Sequence, residues 1–240
     1  MYFDLEVNMR FSRQLYITFF LSALVLVSGA AAQNPKDLRE ATERVNKAST
    51  VLTEIMNVGD KAIPSDLMSK AKAVVVFPGA VKAAFIVGGQ GGHGVAVRRT
   101  AHGWSAPAFL KMGGGSIGAQ IGGEKTDYVL LIMNDKGLRD LLQDKFEMGA
   151  EGSITAGPVG RTAAASTNAT LDSEILSYSR SKGLFAGLAL KGVVISPDQD
   201  MNLAIYKKPS RELLGESAMA EADAPEAMRA FSRSVAKYAQ

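Results

Sequence analysis

The sequence predicts an α+β fold: a curved, antiparallel, glycine-rich sheet or partial barrel with flanking N-terminal, middle and C-terminal helices. Two observations carry the sheet. Short β-type runs between Ala73 and Tyr206 alternate with glycine clusters, in a chain that holds 24 glycines. The stretches between runs are too short for repeated βαβ crossovers, which need about a dozen residues each, so a parallel doubly wound sheet does not fit. A third observation carries the helices. Before the glycine-rich zone, once within it and again after it, apolar residues recur every three or four positions.

Taken in order, Lys36 to Asn57 places Leu38, Ala41, Val45, Ala48, Leu52, Ile55 and Met56 on one stripe. With Lys, Arg and Glu between them, this reads as an amphipathic helix closed by Gly59 and followed by Pro64. Both signs of charge on its polar face favour docking on a core over lying in a membrane interface. Strands are expected at Ala73 to Phe77, Ala83 to Val87, Val95 to Arg99, Trp104 to Met112, Tyr128 to Met133, Gly187 to Ser196 and Met201 to Tyr206. Asp135 to Phe146 breaks the pattern, because Asp135 can cap a helix whose apolar positions are Leu138, Leu141, Leu142 and Phe146. Ser196 to Asp200 reads as a hairpin turn. Beyond Ser210 a helix is expected over Glu212 to Ala222. Pro225 then restarts one with Met228, Phe231, Val235 and Tyr238 on a single face, packed on the domain or frayed as a tail.

Composition narrows the function. With 240 residues, 47% hydrophobic and 21% charged, the chain can bury a core. Lys and Arg number 27 against 24 Asp and Glu, a net +3 that suits an anionic partner. That excess is too small to imply nucleic acid without a clustered patch. The absence of cysteine excludes disulfides, thiolate metal sites and cysteine nucleophiles.

The N-terminus reads as a leader. Arg10 and Arg13 precede the apolar run Leu15 to Val27, and small residues Ser28 to Ala32 follow. A basic region, a short apolar core and an Ala-x-Ala end describe a secretory signal peptide, cleaved after Ala32. Met9 is the expected start, since Asp4 and Glu6 are out of place in such a region. The apolar run is about 13 residues, short of the roughly 20 that span a bilayer. The expected organisation is a signal peptide at 1–32, a binding domain at 33–208 and a helical extension at 209–240, with the protein exported to the periplasm or cell envelope.

Several motifs resemble chemistry and fail on context. Gly89 to Gly94 and Gly113 to Gly118 both match the dinucleotide glycine pattern. That pattern works only where its third glycine opens a helix, and here Val95 to Arg99 or Ile121-Gly122-Gly123 follows. Gly114-Gly115-Ser116-Ile117-Gly118 fits a nucleophile elbow, whose histidine must come after the serine. His93 and His102, the two histidines of the chain, both precede Ser116. Neither histidine belongs to a converging ligand set, so no metal and no cofactor is expected. The carboxylate pair Asp198 and Asp200 keeps a hydrolase or lyase with a carboxylate dyad as a minor alternative.

Basic residues beside glycines remain. Lys82, Arg98, Arg99, Lys111, Lys125, Arg161, Lys182 and Lys191 fall at strand ends and turns. Glycine turns expose main-chain N–H groups that form anion-binding concavities, and neighbouring Lys or Arg add charge. These positions make phosphate headgroups the best-matched ligand.

The blocks Ala71 to Pro78, Lys82 to Gly89, Gly94-Val95 and Gly103 to Phe109 resemble successive segments of the SYLF domain, or Ysc84 family. Gly118 to Gly122, Val159-Gly160-Arg161 and Tyr178 to Gly187 continue the resemblance in the same order, which spans about Leu38 to Tyr206. Eukaryotic members of that family bind phosphoinositide membranes and some bind actin, while exported bacterial members are described as lipid-binding proteins. The resemblance therefore implies phospholipid binding without catalysis, with anionic phospholipids or a membrane surface as partner and no nucleic acid. The blocks stand here without the SH3 or FYVE module often attached in eukaryotes, which leaves actin and endocytic roles unsupported. Lys82, Arg161, Arg180 and Lys182 lie inside the resembling blocks, and Arg98, Arg99 and Lys111 join them on charge alone. The principal alternative is a structural or assembly factor of the envelope that binds protein.

Overall fold

A computed structural model describes residues 34–84, 88–116, 122–150, 152–160 and 173–240. The leader expected at 1–32 and the candidate Arg161 lie outside these residues. The chain from Pro35 to Gln240 forms one compact unit.

The first helix, α1 (Pro35–Met56), matches its expected bounds and buries Ala41, Val45, Ala48, Val51, Leu52 and Ile55. Pro64 then admits a short helix, α2 (Ser65–Lys70), which buries Leu67 and Met68. The sheet follows as β1 (Ala73–Ala84), β2 (Gly88–Thr100), β3 (Gly103–Trp104), β4 (Ala108–Ser116) and β5 (Gly122–Ile132). After a middle helix come β6 (Phe146–Glu147), β7 (Ile154–Ala156), β8 (Ile175–Ser181), β9 (Leu184–Gly187) and β10 (Val194–Pro197). Their order is β6-β10-β4-β2-β1-β5-β8-β7, with β3 on β2 and β9 on β8. Every pairing between these strands is antiparallel except β7 with β8. The sheet curls into a half-barrel.

Sequence explains both the core and the curl. Val74 to Phe77 and Val129 to Ile132 are fully buried neighbours on β1 and β5, two short apolar runs paired at the centre of the sheet. At Pro78-Gly79 the β1 register slips against both neighbours, and Gly79 takes φ of 60°. Proline has no ladder donor and glycine alone adopts that φ without cost, so the bend falls there. A second use of glycine is spatial. A Cβ on Gly94 would lie 2.4 Å from Cδ1 of Phe77, so the ring takes the place a side chain would fill. Adjacent strands can therefore curl tightly across β1 and β2.

Several expectations are corrected. The strand expected over Gly187 to Ser196 is interrupted, since β9 ends at Gly187 and β10 begins at Val194, and the helix expected over Glu212 to Ala222 is confined to Ser210–Leu214. The middle helix α3 (Asp135–Leu141) is capped by Asn134, whose side chain accepts from the Gly137 amide at 2.9 Å, and not by Asp135. It ends at Leu141, and Phe146 belongs to a strand. Met201 to Tyr206, expected as a strand, lies in helix α4 (Gln199–Tyr206). Asp198 is its N-cap instead of part of a hairpin turn, accepting from the Met201 amide. The run reads equally well at either period, and Asn202 decides it. Its side chain is buried and exchanges two hydrogen bonds with the main chain of Phe109, 2.8 and 2.9 Å long. That exchange needs a helix end presented to β4.

The C-terminal segment packs and does not fray. Helix α5 (Ser210–Leu214) buries Leu213 and Leu214. Helix α6 (Ala230–Tyr238) buries Phe231 and Val235 and lies against α1, where Thr53 and Ser234 hydroxyls meet at 3.2 Å. Among the described residues no helix is long and apolar enough to cross a membrane.

Candidate functional site

The seven candidate basic residues separate into groups by what their heads touch. Arg98 donates through Nη1 to the carbonyls of Leu214 and Gly215. Arg99 lies 4.5 Å over the Trp104 ring and donates to the carbonyls of Ala71, Met68 and Ala239. The last turns of a helix leave carbonyls without partners, and a guanidinium with five donors satisfies several at once. Both arginines therefore fasten helix ends to the sheet and cannot face a ligand in this fold. Arg180 on β8 is held between Asp127 at 2.8 Å and Glu54 of α1 at 2.5 Å.

Lys111 enters a second network, in a cleft of about 240 Å³ between α1, the sheet and α4. Its ammonium is 3.0 Å from Asp198, whose other oxygen meets Arg44 of α1 at 2.6 Å. His93 Nδ1 stands 3.6 Å from the same carboxylate. Burial acts to raise the Asp198 pKa, but hydrogen bonds from Arg44 and Lys111 outweigh it and hold the carboxyl below its ordinary value. Burial, with the Arg44 charge beside it, pushes the His93 imidazole down. Each positive charge here has a negative partner: Arg44 also meets Glu40, and Lys47 meets Glu43. The cleft is a compensated joint between α1, β4 and α4, and it has no surplus charge for an anion.

The same geometry disposes of the chemical motifs. Asp198 is spent on Arg44 and Lys111, and the Asp200 side chain is 97% exposed, so the two carboxylates sit in unlike settings and do not form a shared buried pair. Gly91 pairs with Gly113 and Gly89 with Gly115 across β2 and β4, so both glycine runs build strands and no helix N-terminus for phosphate. Among the described residues no group of three acidic or histidine side chains could hold a metal ion.

Three exposed lysines are carried to one end of the sheet, although Lys61, Lys70, Lys145 and Lys191 elsewhere are exposed as well. Lys82, Lys125 and Lys182 are exposed; Lys82 stands opposite Glu124 in the β1–β5 register, and neither Lys125 nor Lys182 makes an ion pair among the described side chains. Val81 on β1 pairs with Lys125 on β5, and two residues further along β5, Asp127 pairs with Arg180 on β8. The Lys182-Gly183 turn then follows directly at the end of β8. Three neighbouring strands thus carry Lys82, Lys125 and Lys182 to one end of the sheet, where Leu184 (77% exposed) follows the Lys182 turn, while Val81 faces a cleft between α1 and the sheet. Lys125 was visible in the sequence as a basic residue near glycines. The exposure of Leu184 was not, because only the β8–β9 pairing shows that it stands at a turn tip beside Lys182.

A family model described as "Ysc84: Las17-binding protein actin regulator" matches residues 113–238 of this chain. The chain belongs to the Ysc84 family. Similar proteins within and around that family include LAS seventeen-binding protein 3 of Saccharomyces cerevisiae, 33% identical over 178 residues, 72% of this chain and 39% of that protein. The SH3 domain-containing protein PJ696.02 of Schizosaccharomyces pombe is 33% identical over 179 residues, covering 72% of this chain and 41% of its own length. The human SH3 domain-containing YSC84-like protein 1 is 30% identical over 176 residues, 72% of this chain and 51% of that protein. This Ysc84-family chain therefore spans about half or less of the curated relatives it matches. The family description speaks of binding and regulation, and the name of the budding-yeast protein states what that protein binds.

Proposed function

We propose that this Ysc84-family chain is a non-catalytic protein that docks on anionic phospholipid surfaces through the β1–β5–β8 end of its sheet. The observation that carries the reading is the end of the sheet where exposed Lys82, Lys125 and Lys182 come together beside Leu184, which is 77% exposed. Each lysine near an anionic leaflet contributes about 1 kcal/mol, so three together are worth roughly a hundredfold in affinity. The compensated cleft and the carbonyl-bound arginines take no part. Reversing Lys82, Lys125 and Lys182 to Glu together is expected to weaken binding to phosphatidylserine-containing vesicles by at least about tenfold, with the thermal transition unchanged because all three are exposed. A folded triple variant that binds as tightly as the parent would overturn this assignment.

A second reading has its own support in the names of the relatives. The same edge could meet an acidic protein, in keeping with a budding-yeast relative named for binding LAS seventeen. Binding to protein-free vesicles separates the two.

A further inference from the structure

The β8–β9 turn has two features that the fold itself does not need. Ser181 and Leu184 pair across a two-residue turn whose central residues, Lys182 and Gly183, have φ of 50° and 80°. Positive φ at both positions is the type I′ turn, whose first central place suits Asn, Asp or Gly. A lysine stands there instead, in a backbone region that an L side chain enters only under strain. The next residue, Leu184, is 77% exposed, while the other exposed large apolar side chains of the described residues are no more than 46% exposed.

The base of the hairpin is firmly held. Phe185 turns inward and stacks on Tyr178, with ring centroids 5.6 Å apart and planes 11° from parallel. Gly157 lies so close to the Tyr178 ring that a Cβ there would be 2.0 Å from Cζ, which packs the ring from another direction. Consecutive residues thus divide the work: Phe185 anchors, and Leu184 projects. Folding gains neither burial from Leu184 nor relaxed backbone from Lys182. A partner that is anionic at its surface and apolar just beneath would use both, and a phospholipid interface has that layering.

We propose that the β8–β9 hairpin is the membrane-penetrating element of this domain. Leu184 enters the acyl boundary while the Lys182 ammonium pairs with phosphate oxygens above it. The proposal rests on the membrane reading of the same edge and adds which element enters and how deep. Interfacial elements of this kind sink roughly 5–10 Å below the headgroups.

The absence of cysteine allows a clean test on the full chain. Leu184→Cys is labelled with an environment-sensitive nitrobenzoxadiazole probe and mixed with phosphatidylcholine vesicles containing phosphatidylserine. A blue-shifted emission, quenched by nitroxide placed shallowly on the acyl chains, is the expected result. Alongside it, Leu184→Asp is expected to weaken vesicle binding by about tenfold or more without moving the thermal transition. Vesicle binding with the label still in water, and Leu184→Asp bound as tightly as the parent, would overturn the proposal and leave surface docking standing. If the unlabelled parent binds no vesicle of either composition, both this proposal and the membrane reading fall. Label protection by an acidic protein but by no vesicle would assign the hairpin to a protein partner and also overturn it.

Discussion

Lys182 is the residue at which stability and function separate. Its left-handed backbone costs about 1 kcal/mol relative to a residue at ease there. Lys182→Asn creates the Asn-Gly pair that a type I′ turn favours, without glycine's extra chain entropy. We expect this variant to gain about 1 kcal/mol in urea unfolding and to bind phosphatidylserine vesicles several-fold more weakly. A variant that gained stability and kept full binding would show that the lysine is an accident of the turn. Arg98 and Arg99 teach the opposite lesson. In the sequence they are basic residues at the end of a strand, as Lys182 is at a turn. Only the positions of α2, α5 and α6 show that their donors are spent on carbonyls from residues 28 to 140 positions away. Charge type is legible in a sequence, but what a charge is spent on is not.

At the scale of elements, the joint between α1, β4 and α4 depends on Asp198. Its side chain is 4% exposed and Arg44 is 11% exposed, so removing the charge leaves a buried guanidinium with only the half-exposed Glu40 as its partner. Asp198→Asn keeps shape and helix cap but loses the ion pair, at an expected cost of about 3 kcal/mol near neutral pH. The pH sign follows from the direction of the shift. The folded carboxyl titrates below its unfolded value, so its stabilisation is complete above about pH 4 and is lost as pH falls through the folded pKa. Wild type and variant should therefore converge in stability below that range, and a gap that stays constant with pH would contradict this account. Long periodic elements were legible beforehand, as α1 shows, because 22 residues repeat one stripe many times over. The eight residues of α4 were not, since Met201 to Tyr206 suits either period and the deciding contact, Asn202 to Phe109, spans 93 positions. Strand β8 went unread as a strand for a related reason. Ser177, Ser179 and Ser181 interrupt its apolar pattern, although the segment had been singled out by resemblance.

Across the whole molecule, the fold spends many of its ionic groups on internal pairs and brings three exposed lysines to one end of the sheet. Arg44, Lys47, Lys111 and Arg180 each have a carboxylate, whereas Lys125 and Lys182 have none among the described side chains. The net charge of +3 understates this asymmetry, which comes from placement and not from composition. The central claim is that this edge, with its apolar tip, meets an anionic lipid surface, and co-sedimentation of the parent chain with vesicles tests it most directly. Raising salt from about 0.1 to about 1 M shortens the screening length from roughly 10 Å to roughly 3 Å. Attachment to phosphatidylserine-containing vesicles should then fall by at least about tenfold, while pure phosphatidylcholine vesicles bind weakly at either salt. Equal binding to neutral and anionic vesicles, unaffected by salt, would contradict it.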